Sequence, residues 1–220
     1  MTLPALVIFD MAGTTVEDRG QVPTAFAETL AANNITITSD EIARVRGASK
    51  RQAIRNLLPP ADAGDADRIY QQFGANLART YRRDGVRSTP GAERVIRDLR
   101  AGGIKVALTT GFDRDITNLL LSTLGWTSGT IDAVICGDDV PSGRPAPDMI
   151  LLAMSLTGVG DAGRVANVGD TAMDLESAAR AGVRWNVGVL SGAHTREALE
   201  RAPHTHIIES VAYLGGVFGA

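Results

Sequence analysis

The stretch "VIFDMAGTTVED", Val7 to Asp18, decides how the rest of the chain reads. Val7-Ile8-Phe9 continues an apolar run from Ala5 that stops on Asp10. A run this short, apolar at every position, is the pattern of a strand buried on both faces. Gly13, Thr14 and Thr15 follow after Met11 and Ala12, so the acid sits at a strand tip beside a turn whose backbone can approach an anion closely. Two positions past Asp10, where a second acid would serve proton transfer, stands Ala12.

Working outward, strand and helix patterns alternate. Strands are expected near 5–10, 104–110, 132–136, 165–169, 184–189 and 206–208. Helices are expected near 91–101, 114–124, 147–157, 172–181 and 195–201, the first with Ala92, Val95, Ile96 and Leu99 on one face. Such alternation predicts an α/β fold, a Rossmann-like doubly wound parallel sheet. Residues 16–87 break the alternation with helical stretches only, near 22–33, 39–45, 50–58 and 64–83. The expected organisation is a catalytic core of residues 1–15 and 88–220, with an α-helical cap, residues 16–87, inserted after the first strand. Linkers near 16–20 and 84–90 join the two, and the insertion lies over the carboxyl edge of the sheet, where ligands bind.

Bulk properties narrow the function. A chain of 220 residues with 44% hydrophobic and 21% charged residues suits a soluble globular protein. A formal net charge of -3 argues against nucleic acid or an anionic membrane as partner. The single Cys136 forms no internal disulfide and points to a reducing, cytoplasmic setting. The apolar run at Leu6–Phe9 is too short for a signal peptide or a membrane span. Of 22 basic residues, only Lys50 and Lys105 are lysine.

The polar groups at strand ends should converge, because parallel strands put their carboxyl ends on one edge. Asp10 ends the first strand, Thr109 and Thr110 the second; Arg144 lies in the loop "SGRPAP", and Asp170 and Asp174 follow "VANVG". Each has a use around a phosphoryl group. Asp10 can attack phosphorus and form an acyl-phosphate. Asp10 and Asp170 repel unless a hard cation such as Mg2+ lies between them, and the Ala12 carbonyl can supply a further oxygen. Thr110, the Gly111 amide and Arg144 can neutralise and orient phosphoryl oxygens, with Thr14 beside them. Taken singly, Asp174 reads equally as a loop or helix-cap residue.

"FDMAGTTVED", "LTTGF", "DDVPSGRPAPDMI" and "VGDTAMDLESAARAG" stand, in that order, where the haloacid dehalogenase superfamily of hydrolases has its four motifs. The chain resembles that superfamily, in its helically capped form, over nearly its whole length. The resemblance implies Asp10 as nucleophile, Thr110 as second-motif hydroxyl, Arg144 in a position usually held by Lys, Asp170 as metal ligand and Asp174 as accessory carboxylate. It implies a small phosphorylated or phosphonate substrate and allows a homodimer formed through the cap.

Ala12 cannot act as general acid. A leaving group activated otherwise, a proton supplied from elsewhere, or a weak catalyst would each account for it. "DMAGTTV" and "DDVPSGRP" resemble the phosphonoacetaldehyde hydrolase family, which also has this Ala and this Arg. There a cap lysine forms an imine with the substrate aldehyde, so the carbon leaves phosphorus as an enamine. "VRGASKRQAIRNLL" places Lys50 in the matching position. Ser49 and Gln52 have capping-box spacing, so a helix starts at Ser49 and Lys50 sits in its first turn. The helix dipole there, with Arg46 and Arg51 nearby, favours the neutral amine. Arg46, Lys50 and Arg51 are equally readable as a solvated, phosphate-attracting face, and Arg46 and Ser49 are expected to bind substrate. The cap departs from that family: Ala53 replaces a His, Phe112 a Tyr, Gly20 a Cys and Arg46 a Met. Hydrolysis of a phosphate ester such as phosphoglycolate, and ligand binding without catalysis, are the competing expectations. His194 is expected at a helix start or the surface, Cys136, Trp126 and Trp185 in the interior, and Lys105 at the surface.

Overall fold

The computed structural model describes residues 3–219. Six parallel strands, β1 (Leu6–Asp10), β2 (Lys105–Thr109), β3 (Ala133–Ile135), β4 (Val165–Gly169), β5 (Trp185–Val189) and β6 (His206–Ile208), form one sheet in the order β3-β2-β1-β4-β5-β6. Every residue of β1, β4 and β5 is buried, as expected of strands covered by helices on both faces. Helices α5 (Ala92–Ala101), α6 (Arg114–Leu124), α7 (Asp148–Thr157), α8 (Ala172–Ala181) and α9 (Arg196–Glu200) alternate with the strands. The chain leaves β1 toward β2 on one side and reaches β4 on the other, so the strand order reverses at β1. Crevices at such reversals, beyond the carboxyl ends of the strands, are where doubly wound sheets bind ligands. Asp10 ends β1, and Asp170 follows β4 directly.

Residues between β1 and α5 hold four helices: α1 (Gln21–Ala31), α2 (Ser39–Arg44), α3 (Lys50–Leu57) and α4 (Ala66–Asp84). Ile69, Phe73, Leu77 and Tyr81 recur every four residues along α4 and are buried, which gives it one apolar face. Phe73 stacks on Phe26 of α1 with ring centroids 4.4 Å apart. Thr38 and Glu41 start α2 with a reciprocal capping box. At α3 the expected box is only half made. Ser49 accepts the Gln52 amide at 3.3 Å, but the Gln52 side chain turns along the helix to Asn56.

The two connections to the insertion are joined to each other. Val16 bridges Ser88, the Glu17 amide donates to the Arg87 carbonyl at 3.0 Å, and the Thr89 amide donates to the Thr15 carbonyl at 2.9 Å. The backbone groups of one expected linker thus satisfy those of the other. Residues Pro60–Asp65 form a 3₁₀ segment before α4, and Val211–Val217 form another that the sequence pattern does not announce. Its Val211 and Leu214 are buried, and Ala212 lies against Gly91 at the head of α5. Trp126, Trp185 and Cys136 are interior as expected, and Lys105 is exposed beside Asp132.

Candidate active site

The turn after β1 builds the floor of the site. The amides of Thr14, Thr15 and Val16 all point at the Met11 carbonyl, and the Thr15 hydroxyl donates to the Asp10 carbonyl at 2.8 Å. Gly13 takes φ +92°, and a Cβ there would fall 2.4 Å from an Asp170 carboxylate oxygen. Only glycine permits both this backbone and this approach.

One guanidinium ties three elements together. Arg144, 7% exposed, donates from Nη1 to Asp10 Oδ1 at 2.7 Å and from Nη2 to Thr109 Oγ1 at 2.7 Å. Its Nε lies 2.9 Å from Asp174 Oδ1. A planar fork of donors suits three acceptors at once in a way an ammonium does not. Sequence reasoning put the second-motif role on Thr110; the hydroxyl that meets Arg144 is that of Thr109. Thr110 lines the cavity and accepts the Phe112 amide at 3.2 Å. Asp174 also accepts the Thr171 amide at 3.0 Å, so it caps α8 and holds Arg144 together.

Asp170 is nearly sealed. Its Oδ2 accepts the Ala193 amide at 2.6 Å, and Thr14 donates to Oδ1 at 3.4 Å. Thr14, expected to meet substrate, is fully buried behind Asp170 instead. His194 supports the same corner: its Nδ1 accepts the Ala172 amide at the start of α8, and burial depresses its basicity.

Three buried carboxylates, Asp10, Asp170 and Asp174, thus face one buried guanidinium. Burial raises Asp10 from 3.8 to about 6; Arg144 opposes that rise and Asp174 adds to it. Burial, then Asp10 and Asp174, raise Asp170 as well. Such under-compensated negative charge on oxygen donors fits a hard divalent cation. Asp10, Asp170 and the Ala12 carbonyl are the groups that could hold one. Among the described residues, no three His, Cys, Asp or Glu side chains cluster as a ready-made metal site, so main-chain and solvent oxygens would complete the shell.

The charge balance predicts a pH dependence. An acid raised on folding is stabilised in its protonated form, so stability conferred through Asp10 is present below pH 3.8 and lost as pH rises toward 6. A displacement of that size corresponds to roughly 3 kcal/mol. Without divalent cation, Asp10→Asn should therefore gain stability over the parent chain between pH 4 and pH 7. Denaturant melts across that range, with chelator present, check it; a gap independent of pH contradicts it.

Over this floor lies the insertion. The Lys50 amide, one of the unpaired donors at the head of α3, donates to the Gly111 carbonyl at 2.9 Å. A Cβ on Gly111 would stand 2.5 Å from the Ala48 carbonyl oxygen; one on Gly47 would stand 2.5 Å from Thr171 Oγ1. Ser49 packs on Gly137 and Gly143 and is absent from the cavity wall, contrary to expectation. Tyr70 of α4 donates to Asp113, the cap of α6, at 2.9 Å. Glycines on both sides let residues 47–50 seat on the core. Gly111→Ala should cost about 1–3 kcal/mol by overpacking against main chain and lower turnover by about tenfold or more. Melting curves and kcat measured together test this; unchanged values for both contradict it.

Asp10, Ala12, Asp170, Asp174, Arg144, Thr110 and Gly111 line one cavity with Arg46 and Lys50. Val22, Pro23, Phe26, Ile42 and Phe112 form an apolar side, and Asp18, to which sequence reasoning gave no role, joins them. Lys50 is half-buried, with Nζ 3.4 Å from the Ala48 carbonyl and 5.2 Å from the Phe112 ring centroid. Burial is the largest influence lowering its basicity; Asp10 opposes and Arg144 reinforces the shift. The direction matches the sequence expectation, but the cause is burial and Arg144 rather than Arg46 and Arg51.

The site thus gathers a strand-end aspartate, a buried arginine and two further carboxylates at the carboxyl edge of the sheet. The haloacid dehalogenase-like hydrolase family model matches residues 4–182, and the chain belongs to that family. It is similar to the phosphonoacetaldehyde hydrolase of Bacillus cereus, 29% identical over 93% of this chain and 84% of that protein. It is also similar to that of Paraburkholderia phytofirmans, 32% identical over 83% and 73%. Among solved structures, a phosphonoacetaldehyde hydrolase like protein from Oleispira antarctica superposes with a TM-score of 0.85 at 26% identity, covering 99% of this chain and 94% of that one. Within the described residues, no helix is long and apolar enough to cross a membrane.

Proposed function

We propose that the chain is a Mg2+-dependent hydrolase of a small phosphonate aldehyde of the phosphonoacetaldehyde type, with Asp10 as nucleophile and Lys50 as the imine-forming amine. The observation that carries this reading is one cavity holding a half-buried lysine opposite a buried aspartate, with no acid at position 12. Named relatives support the substrate class.

In this reading Lys50 gives up a proton, which burial eases, the free amine condenses with the aldehyde, and the proton leaves with the departing water, so that a protonated imine remains. Arg144 holds Asp10 Oδ1, and the other oxygen attacks phosphorus. The electron pair of the C–P bond moves toward the iminium and the carbon leaves as an enamine, so no alkoxide needs a proton and Ala12 is no handicap. Water then releases phosphate from Asp10, and the enamine is protonated and hydrolysed from Lys50. Asp10, Asp170 and the Ala12 carbonyl would hold Mg2+, which would supply charge neutralisation for the phosphoryl oxygens. Helices α1–α4 act as a cap whose seating excludes water. The reducing environment suited to a lone buried Cys136 makes the cytoplasm the expected compartment.

A phosphate-ester substrate is the second reading. It is favoured by Ala53, which is fully buried and offers no side chain for proton transfer, and by Phe112. Borohydride treatment with phosphonoacetaldehyde separates the two. A reduced two-carbon adduct on the Lys50 peptide is the expected result; turnover of a phosphate ester with no adduct favours the second.

A further inference from the structure

Four carboxylates line the cavity, and three are committed. Asp10 is bonded to Arg144, Asp170 to the Ala193 amide and Thr14, and Asp174 to Arg144 and Thr171. The fourth is Asp18, part-exposed, on the connection that leads into α1. Its Oδ1 accepts the Gly20 amide at 3.0 Å and the Val22 amide at 3.4 Å, which fixes the side chain. Its Oδ2 makes no hydrogen bond or ion pair with the described residues. Asp18 lies on the cavity wall with Lys50, and its charge reaches the Lys50 ammonium. A second polar group is unspent nearby. Tyr81 Oη is buried and has no partner among the described residues, and the charges it feels most are those of Asp18 and then Asp10.

Imine formation needs a group that moves protons between nitrogen and oxygen. Ala53, Phe112 and Ala12 have none to offer. We infer that Asp18 is the catalytic acid–base for the aldehyde end of the substrate, serving Lys50 as Asp10 serves phosphorus. The inference rests on the imine reading of Lys50.

Atoms and charge balance through the step. Asp18 carboxylate takes a proton from the Lys50 ammonium. The free amine pair forms the C–N bond while the C=O π pair moves to oxygen, which takes the proton back from Asp18. Asp18 then removes one proton from the new C–N⁺ centre and delivers it to the carbinolamine hydroxyl. That oxygen leaves as water, the nitrogen pair closes the C=N bond, and Asp18 ends as carboxylate. No oxidant or reductant enters. The fixed Oδ1 and open Oδ2 divide the work, since one oxygen positions the side chain while the other exchanges protons.

Asp18→Asn tests this cleanly, because an amide oxygen still accepts the Gly20 and Val22 amides while the NH2 carries no exchangeable acid. The measurement is the rate of borohydride-trapped adduct on Lys50 with phosphonoacetaldehyde, in an Asp10→Asn background where C–P cleavage is blocked. Asp18→Asn should slow trapping by about 10²-fold, and Asp18→Glu should recover most of it. Equal trapping rates with and without Asp18→Asn overturn the assignment of Asp18 and leave the Lys50 reading standing. If Asp18→Asn fails to fold, trapping in Asp18→Glu and Asp18→Ser decides: equal rates in these two also overturn it. No adduct on Lys50 in the Asp10→Asn background or in the parent chain overturns both readings.

Discussion

Replacing Asp10 with Asn should lower turnover of any phosphoryl or phosphonyl substrate by more than about 10⁴-fold, in line with the loss of a nucleophile elsewhere. The substitution is nearly isosteric. Its amide oxygen still accepts from Arg144 Nη1, so the link from β1 to the loop that carries Arg144 survives. What disappears is the charged oxygen that attacks phosphorus. Removing a buried carboxylate whose ionisation is opposed by burial should leave the chain at least as stable near neutral pH. Loss of activity in a protein that melts no lower than the parent assigns the effect to chemistry. Retention of more than about a hundredth of the parent rate contradicts the assignment.

Lys50→Arg should have the next largest effect. Guanidinium keeps the positive charge in the cavity but forms no imine under these conditions. On a phosphonate aldehyde, kcat should fall by about 10³-fold, while inorganic phosphate competes as before. On a phosphate ester, if the chain accepts one, the same substitution should change kcat little, because no electron sink is needed there. Undiminished aldehyde turnover by Lys50→Arg would remove the imine from the mechanism. The half-buried setting of Lys50 accounts for why an amine can work here: burial favours its neutral form, which is the nucleophilic one.

The strands β1 and β4 were legible because they are short, mostly apolar runs that stop at an acid or a glycine. Leu6–Asp10 and Val165–Gly169 lie within a residue of expectation. The insertion was legible because its helices carry an apolar stripe and end at Asn33-Asn34 and Pro59-Pro60. Convergence of Asp10, Arg144, Asp170 and Asp174 followed from parallel topology alone.

What escaped was anything set by tertiary neighbours. Adjacent strand residues face opposite sides, so "TT" did not tell whether Thr109 or Thr110 meets Arg144. Thr14 and Ser49 have substrate-binding chemistry, yet the fold uses one against Asp170 and the other to cap α3 and pack on Gly137 and Gly143. Local sequence around Lys50 gave the right direction for its basicity and the wrong cause, because Phe112 and Arg144 arrive from distant segments. Asp18 lay inside the opening stretch but had no partner in sequence; only the fold puts it in the lining of the cavity that also holds Lys50.

A phosphorylated Asp10 can be caught by acid quenching during a single turnover with ³²P-labelled phosphonoacetaldehyde, followed by peptide mapping. Transient label, labile to hydroxylamine, is expected on the peptide carrying Asp10 and absent from Asp10→Asn. Phosphate released at full rate with no label on that peptide at any quench time would contradict it.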